Sequence, residues 1–170
     1  DNSSNTSAAT TVTFAITNVD DIAPTITSGT TATDLVENSG AGQTVYTITA
    51  NANDGGTISG YAISGTDASL LTLWQSGTNP PSAYITLTTD PDYEAKSSYS
   101  FTVTATDAAG TSAATTVTFS ITNVDEVVPS ITSGATGTDL AENSGAGQTV
   151  YTITADANDG GTISSYAIAG

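Results

Sequence analysis

The sequence of 170 residues contains no cysteine, histidine, methionine or arginine, and Lys96 is its one basic side chain. Without cysteine it offers no thiol nucleophile, and without histidine it cannot build a Ser–His–Asp arrangement. Conventional zinc and copper sites depend on the same two residue types. These absences exclude most nucleophilic and transition-metal catalysis, and we expect neither an enzyme nor a small-molecule substrate.

Positive charge is scarce, since 17 acidic residues against a single lysine give a formal net charge of −16. Nucleic acids are bound by Lys and Arg side chains that displace counterions from phosphate groups, and anionic membrane surfaces attract proteins in the same way. We therefore expect no nucleic-acid partner. No run approaches the roughly 20 apolar residues of a membrane span, so no membrane insertion is expected, and any targeting signal is expected outside this segment.

An internal repeat divides the chain. Residues 6–65 recur at 111–170 with an offset of 105 residues and no gap, and 49 of the 60 paired positions are identical. We read the C-terminal part of one copy at 1–19, a complete copy at 20–124 and the N-terminal part of the next at 125–170. Both ends fall inside copies, so we expect the natural protein to continue in both directions. The period is that of a small β domain, because solenoid coils repeat every 20 to 50 residues or so.

Short stretches of the complete copy alternate apolar and polar residues, which is typical of half-buried strands. In 115–122, for example, Val117, Phe119 and Ile121 fall on one face. No segment has a helical apolar stripe, and with 37% hydrophobic and only 11% charged residues the chain is not of the disordered class. Seven short strands predict an all-β fold, an antiparallel seven-stranded β-sandwich, with the copies joined end to end. The predicted strands are 25–33, 44–50, 57–64, 69–74, 83–88, 98–106 and 115–122.

The acidic residues concentrate in the predicted loops. Two like charges 4 Å apart repel by about 1 kcal/mol in water and by about 4 kcal/mol at an effective dielectric constant near 20. One lysine cannot balance several converging carboxylates, whereas a hard cation can, and carboxylate, amide and carbonyl oxygens are the ligands that Ca²⁺ selects. The alternative is that these are solvated surface charges, as we take Asp67 to be.

Five segments, in order, resemble the calcium motifs of the cadherin family. The resemblance covers the complete copy and extends into both partial copies. It implies a cadherin-like or immunoglobulin-like sandwich whose calcium ions lie between successive domains. The matching segments are Glu37-Asn38 (xEN), 51–54 (DxD), Asp92-Tyr93-Glu94 (DRE), Asp107 (xDx) and 123–129 (DxNDNxP).

The resemblance implies two groups of calcium ligands, one at each end of the complete copy. The downstream group comprises Glu37, Asp92, Glu94, Asn123, Asp125, Glu126, Asp156, and Asn158 or Asp159. The upstream group comprises Asn18, Asp20, Asp21, Asp54, Asp107, and Asn51 or Asn53, and Glu142 repeats Glu37 in the next copy. Asn18 and Asn123 stand where the family has aspartate, and Ile22 and Val127 where it has asparagine. These departures imply fewer ions, or weaker binding, than the three ions of a cadherin junction.

The Thr-rich, nearly identical copies also resemble the extender region of large RTX-type bacterial surface adhesins. This implies a structural spacer, extracellular at the bacterial cell surface, whose partners are adjacent copies of the same repeat. A short linker between two sandwiches is a hinge in the absence of metal. Cations held by both neighbours would fix the angle and stabilise the ordered state by mass action.

An adhesive module that itself binds a carbohydrate, ice or a protein surface is the alternative function. It is suggested by the Thr-x-Thr spacing of several strands, such as Thr47/Thr49 and Thr102/Thr104. Threonine on the solvent face of any strand produces the same pattern, and the loops carry no aromatic cluster. For Trp74, the one tryptophan, we expect a packing role in the core or at its rim.

Overall fold

The computed structural model describes residues 2, 4, 6–77 and 81–170. The described residues of the complete copy form nine strands and a short 3₁₀ turn at Ala68–Leu70. The following partial copy adds two short strands. The sequence Asn79-Pro80-Pro81 predicts a turn, and its first two residues lie outside the described residues. The strands are β1 Thr25–Ile26, β2 Leu35–Val36, β3 Thr44–Ile48, β4 Ala50–Asn51, β5 Gly60–Ser64, β6 Leu71–Ser76, β7 Ser82–Leu87, β8 Ser98–Thr106, β9 Thr115–Thr122, β10 Ser130–Ile131 and β11 Ala155–Asp156.

Two sheets enclose one core, which confirms the all-β sandwich. One has the strand order β2-β9-β8-β5 and the other β3-β7-β6. Pairing is antiparallel except between β2 and β9, which run parallel, so the expectation of a wholly antiparallel sandwich was wrong there. The chain turns at Gly29, where φ is +82°, a value that glycine adopts without strain. The N–H of Ala32 then donates to the carbonyl oxygen of Thr118 at 2.9 Å and starts the parallel run.

The core contains the inward-facing residues of the predicted alternation. Val117, Phe119 and Ile121 are at most 3% exposed, and Thr118 and Ser120 between them point outward. Tyr46 meets Phe101 edge-on at 6.0 Å between ring centroids, which joins the two sheets. Burying a large apolar side chain stabilises a fold by about 1.5–3 kcal/mol. On β7 it is Ile85, and not Tyr84, that faces the core. The inward residues of these strands are therefore what stabilises the sandwich.

The partial copies do not repeat this packing. Val12, Phe14 and Ile16 stand where the complete copy has the buried residues of β9, yet they are 83–89% exposed. Their segment forms no strand, because the described residues place no sheet beside it. The same local sequence is thus strand or extended chain according to the partners available to it.

Charge is absent from both sheets of the sandwich. No strand of either sheet contains an acidic or basic residue, so the carboxylates lie in the connecting loops and linkers. β8 ends next to Asp107 and begins after Glu94, so the acidic loops collect at opposite ends of the molecule. The fold therefore places the predicted ligands where one copy meets the next.

Candidate metal centres

Glu37 is the carboxylate on which the downstream centre is built. It follows β2, and its N–H donates to the carbonyl oxygen of Thr122 at 3.1 Å, which continues the parallel pairing with β9. Its side chain is only 3% exposed. Oε2 accepts the N–H of Tyr93 at 2.9 Å, and Oε1 accepts the N–H of Val124. Backbone donors thus fix this carboxylate between the loop before β8 and the linker after β9.

Two further carboxylates lie against Glu37. Glu37, Glu94 and Glu126 each offer an oxygen within 4.8 Å of those of the other two. The Nδ2 of Asn38 donates to Oε1 of Glu126 at 3.3 Å, and the backbone N–H of Glu126 donates to Oδ2 of Asp159 at 2.9 Å. The downstream centre therefore combines residues of the complete copy, the linker and the next copy.

The crowding of negative charge shifts pKa values in this centre. A hydrogen bond with Asp159, together with desolvation and the charges of Asp159 and Glu37, raises the pKa of Glu94 from its ordinary 4.5 to about 7. Desolvation, followed by the charges of Glu37 and Asp159, raises the pKa of Glu126. The N–H of Glu126, and then the hydrogen bond with Glu94, lower the pKa of Asp159. Without a cation, Glu94 and Asp159 therefore share a proton near neutral pH.

Amide side chains anchor the linker to the following copy. The Nδ2 of Asn123 donates to the carbonyl oxygen of Asp159 at 2.8 Å, and the Nδ2 of Asn158 donates to that of Val128 at 2.8 Å. These hydrogen bonds involve no carboxylate, so they do not depend on a cation. They therefore hold the linker in position even when no cation neutralises the carboxylates.

An equivalent centre lies upstream, 105 residues earlier in the sequence. The Nδ2 of Asn18 donates to the carbonyl oxygen of Asp54, whose Oδ2 accepts the N–H of Asp21 at 3.2 Å. The Nδ2 of Asn53 donates to the carbonyl oxygen of Ala23 at 2.6 Å. Each of these hydrogen bonds has its counterpart at the downstream centre.

Asp20 and Asp107 complete the upstream centre. Desolvation and the charges of Asp107 and Asp54 raise the pKa of Asp20. Asp107 is only 7% exposed, and its Oδ1 accepts the N–H groups of Ala109 and Gly110 at 3.0 and 3.1 Å. The local turn thus satisfies one oxygen of Asp107 and leaves the other facing Asp20.

Several oxygens of both centres are buried and find no hydrogen-bond donor among the described residues. A buried carboxylate oxygen without a partner is costly, and it calls for a donor or a cation. Hard oxygen donors from carboxylates and amides are the ligand set that suits Ca²⁺. The residues therefore fit a calcium ion in each centre. The unpartnered atoms are Oδ1 of Asp20, Asp54, Asn123 and Asp159, and Oδ2 of Asp107.

Four predicted ligands lie outside the two groups of converging oxygens. Oδ1 of Asp92 accepts the N–H of Ala95 at 2.8 Å and caps its own turn. Asn51 and Asp156 do likewise, since each accepts the N–H two residues later at 2.8 Å. Glu142 is exposed, and the described residues show no hydrogen bond to its side chain. The sequence left either Asn158 or Asp159 as the ligand. The structure brings the carboxylate of Asp159 to the centre, whereas the side chain of Asn158 binds the linker.

A glycine beneath each linker aspartate was missed at the sequence level. A Cβ atom at Gly56 would lie 2.5 Å from Oδ2 of Asp20, and Gly161 lies in the same way beneath Asp125. Only glycine permits such an approach. Both copies share an Asp-Gly-Gly run at this place, and this run could have pointed to the close approach. From the sequence alone it predicts only a turn.

The fold matches solved structures of cadherin extracellular domains. Protocadherin gammaB7 EC3-6 superposes with a TM-score of 0.63 at 23% identity, covering 81% of this chain and 34% of that one. Protocadherin gamma C5 EC1-3 gives 0.63 at 20% identity, covering 82% and 46%. Mouse cadherin-23 EC22-24 gives 0.60 at 22% identity, covering 81% and 44%. The sandwich has a cadherin-like fold.

The sequence gives no closer assignment. No model of a known protein family matches it, and neither does any curated protein. The chain spans about a third to a half of the length of the three solved structures above. Among the described residues, no helix has the length and apolar character needed to cross a membrane. The cadherin-like likeness therefore concerns the fold alone.

Proposed function

We propose that the chain is a calcium-rigidified structural spacer, an extender repeat of a large bacterial cell-surface adhesin that projects a distal binding domain away from the cell. The observation that carries the proposal is the pair of matched acidic centres, one at each end of the sandwich. Each joins a linker to loops of the sandwich through carboxylates with unpartnered buried oxygens. The partners are adjacent copies of the same repeat in the same chain.

The alternative of solvated surface charges is disfavoured by the crowding of these carboxylates around the buried Glu37. Carboxylates exposed to water on all sides keep their ordinary pKa values, whereas the pKa of Glu94 is raised to about 7. Asp139 is the contrasting case, since it is exposed and the described residues show no hydrogen bond to its side chain. Among the described residues, the carboxylates with raised pKa values, Asp20, Glu94 and Glu126, all lie at the junctions.

The residues of the downstream centre have different roles. Glu37 is held rigidly by the backbone and fixes the position of the centre on the complete copy. Asn123 and Asn158 fix the linker on the next copy. Glu94, Glu126 and Asp159 face one another across the joint and repel when ionised. Calcium supplies the positive charge that lets all of these oxygens approach, and so it locks the angle between copies.

Calcium chemistry and the repeated sequence support an extracellular location at the bacterial cell surface. Calcium is plentiful outside cells and scarce in the cytosol, so such a spacer is flexible before export and stiff afterwards. Almost identical Thr-rich copies suit a role in which length and stiffness matter more than specific recognition. The multidomain cadherin chains that share the fold support an end-to-end arrangement.

Calcium removal tests the proposal. We expect calorimetry on the 170-residue chain to show calcium binding, and the melting temperature to fall when EDTA is added. Small-angle scattering of a chain with two complete copies should show increased bending in EDTA. Magnesium at the same concentration should restore less, because it demands a smaller, octahedral site.

Two variants connect the effect to the junction. Glu94→Gln removes a carboxylate from the downstream centre and should weaken calcium binding about tenfold or more. Asp139→Asn removes the same charge from an exposed position and should leave binding unchanged. Equal effects from both variants, or identical melts with and without EDTA, would favour diffuse surface charge and overturn the proposal.

A further inference from the structure

An aromatic pair is exposed on the outer face of the three-stranded sheet. Trp74 on β6 is 52% exposed and Tyr84 on β7 is 42% exposed, and the two are direct partners in the strand register. Their rings are nearly parallel and stacked, with an interplanar angle of 17° and centroids 6.3 Å apart. Trp74 is therefore not a core residue, and of the two expected positions the rim is left. We call this pair the aromatic platform.

The orientation of Trp74 is fixed by a hydrogen bond. Its Nε1–H donates to Oγ1 of Thr86 at 3.3 Å, and Thr86 lies on the same face of β7 as Tyr84. Thr86 is buried, although it points away from the core, because the indole covers it. The hydrogen bond therefore ties the indole to β7, while about half of the Trp74 surface stays open to solvent.

Hydroxyl groups surround the platform. Thr47 on β3 is the register partner of Tyr84 on the side opposite Trp74, and Ser82 lies two residues before Tyr84 on the same face. A groove of about 500 Å³ adjoins the platform, and Thr44, Thr47, Thr49, Ser82 and Tyr84 contribute to its lining. None of the strands in this sheet carries a charge. Apolar side chains such as Ile48 and Pro81 line the rest of this groove, so the surface offers aromatic, apolar and hydroxyl groups and no charge.

We propose that the aromatic platform and its groove bind an uncharged sugar. The electron-rich face of an aromatic ring attracts the weakly positive C–H groups that one side of a sugar ring presents. Neighbouring hydroxyls of threonine and serine can donate and accept hydrogen bonds at the sugar's rim, which fixes its orientation. This site lies on the side of the sandwich, goes beyond the proposed spacer function and does not depend on calcium.

Charge selects the class of ligand. An anionic saccharide is repelled by a chain of net charge −16, and a cationic ligand is drawn to the carboxylates at the ends of the sandwich. Placing either ion on the uncharged sheet would also cost desolvation energy without a partner. A neutral sugar is not repelled by the net charge and carries no ion to desolvate. The uncharged, hydroxyl-lined surface therefore favours a neutral saccharide.

The sole tryptophan makes the test specific to this site. We would titrate the ¹⁵N-labelled 170-residue chain with maltohexaose, with cellohexaose and with an alginate hexamer as the anionic counterpart. We expect at least one neutral oligosaccharide to shift the indole N–H resonance of Trp74 and its fluorescence in a saturable way, equally in calcium and in EDTA. The alginate hexamer should shift neither signal.

Variants separate stacking from incidental contact. Tyr84→Thr removes half of the platform and keeps a strand-forming residue, so binding read from Trp74 should weaken about three- to tenfold. Tyr166→Thr removes another half-exposed tyrosine far from the platform in sequence, and should leave binding unchanged. Thermal melts of both variants confirm that the sandwich is intact.

Three results would overturn the proposal. The first is the absence of any shift of Trp74 with either neutral oligosaccharide at tens of millimolar. The second is equal affinity of the parent chain and Tyr84→Thr. The third is a Trp74 shift that follows protein concentration without sugar, with sedimentation showing dimers, because the face would then pair with a second copy. Each outcome leaves the calcium proposal unaffected, since that rests on the ends of the sandwich.

Discussion

Single carboxylates in this chain differ sharply in what surrounds them. Glu37 and Asp107 are buried and accept hydrogen bonds from backbone N–H groups, which hold them in place. Asp67 is also buried, at 6% exposed, but it faces the one cation of the chain. Its Oδ1 lies 3.1 Å from Nζ of Lys96, and its Oδ2 accepts the N–H of Ser100 at 2.7 Å. Asp67 is therefore a structural residue of the sandwich.

Replacing Asp67 should destabilise the fold independently of calcium. In Asp67→Ala the N–H of Ser100 loses its acceptor, and we expect a loss of about 2 kcal/mol in the free energy of unfolding, measured by urea denaturation. The ion pair adds little to this figure, because the side chain of Lys96 is 35% exposed and can return to water. Asp67→Asn keeps an acceptor and should lose less.

Asp139→Ala is the matched control, since it removes an exposed aspartate and should leave the unfolding free energy unchanged within about 0.5 kcal/mol. If Asp67→Ala behaved like this control, the sequence-based view of Asp67 as an ordinary loop charge would be correct after all. Spacing along the chain could not reveal the difference, because Lys96 is distant in sequence and meets Asp67 only through the fold.

At the scale of strands, the sequence predicts long alternating segments well and short ones poorly. β8 and β9 coincide with the predicted 98–106 and 115–122, because the alternation there decides which face is buried. The predicted strand 25–33 shrinks to Thr25–Ile26, after which the chain leaves its partner β4 at Gly29. The two-residue strand β2 was not predicted, since its pairing with β9 is long-range and parallel.

The ligand groups show the same limit. Motif order put Glu37, Glu94 and Asp159 among the candidates, and the structure brings their carboxylates together, while their role as ligands stays a prediction. It could not separate them from Asp92 and Asp156, which satisfy their own turns. That distinction depends on which oxygen a local N–H already occupies, and spacing does not record it.

One side chain closes the open edge between the two sheets. Gln75 on the edge strand β6 accepts the N–H of Tyr61 at 2.8 Å through Oε1 and donates to its carbonyl oxygen at 3.0 Å through Nε2. Tyr61 belongs to β5, the edge of the other sheet. The amide thus takes the place of a neighbouring strand at Tyr61, and it protects that edge from pairing with another chain.

We expect Gln75→Ala to lower the unfolding free energy by about 1–2 kcal/mol, because two hydrogen bonds are lost. Amide exchange at Tyr61 should accelerate more than exchange in the central strand β8. Ser76→Ala, on the same strand but exposed and with no described hydrogen bond from its side chain, is the control and should change neither quantity. Unchanged exchange at Tyr61 would show that the two sheets are held by the core alone.

Across the whole molecule, charge and recognition occupy different surfaces. The two sheets carry hydroxyls, apolar groups and the aromatic platform, whereas the carboxylates collect at the two ends. Repulsion therefore acts at the joints between copies and hardly at all within the sandwich. Changes in pH or calcium should consequently alter bending between copies first and the stability of each sandwich second.

Protonation and calcium should act on the downstream joint in opposite ways. In the closed joint the pKa of Glu94 is raised to about 7 from its ordinary 4.5. The proton that Glu94 shares with Asp159 therefore stabilises the closed joint, and this contribution is complete when the pH is below 4.5. That contribution declines as pH rises and is lost above about 7. The lowered pKa of Asp159 works in the other direction, and its contribution is lost only in stronger acid. In EDTA, acidification from pH 8 to 5.5 should therefore stiffen the joint.

With saturating calcium the trend should reverse, because protons compete with the cation for the same carboxylates. Scattering from a chain with two complete copies at pH 5.5 and 8, in calcium and in EDTA, measures both signs in one experiment. Glu94→Gln cannot exchange this proton, so its EDTA series should be nearly flat, whereas Asp139→Asn should follow the parent chain. If bending changed in the same direction with and without calcium, the carboxylates of Glu94 and Asp159 would not be the groups that set the angle. The joint would then depend on the amide contacts of Asn123 and Asn158, which no pH change in this range affects.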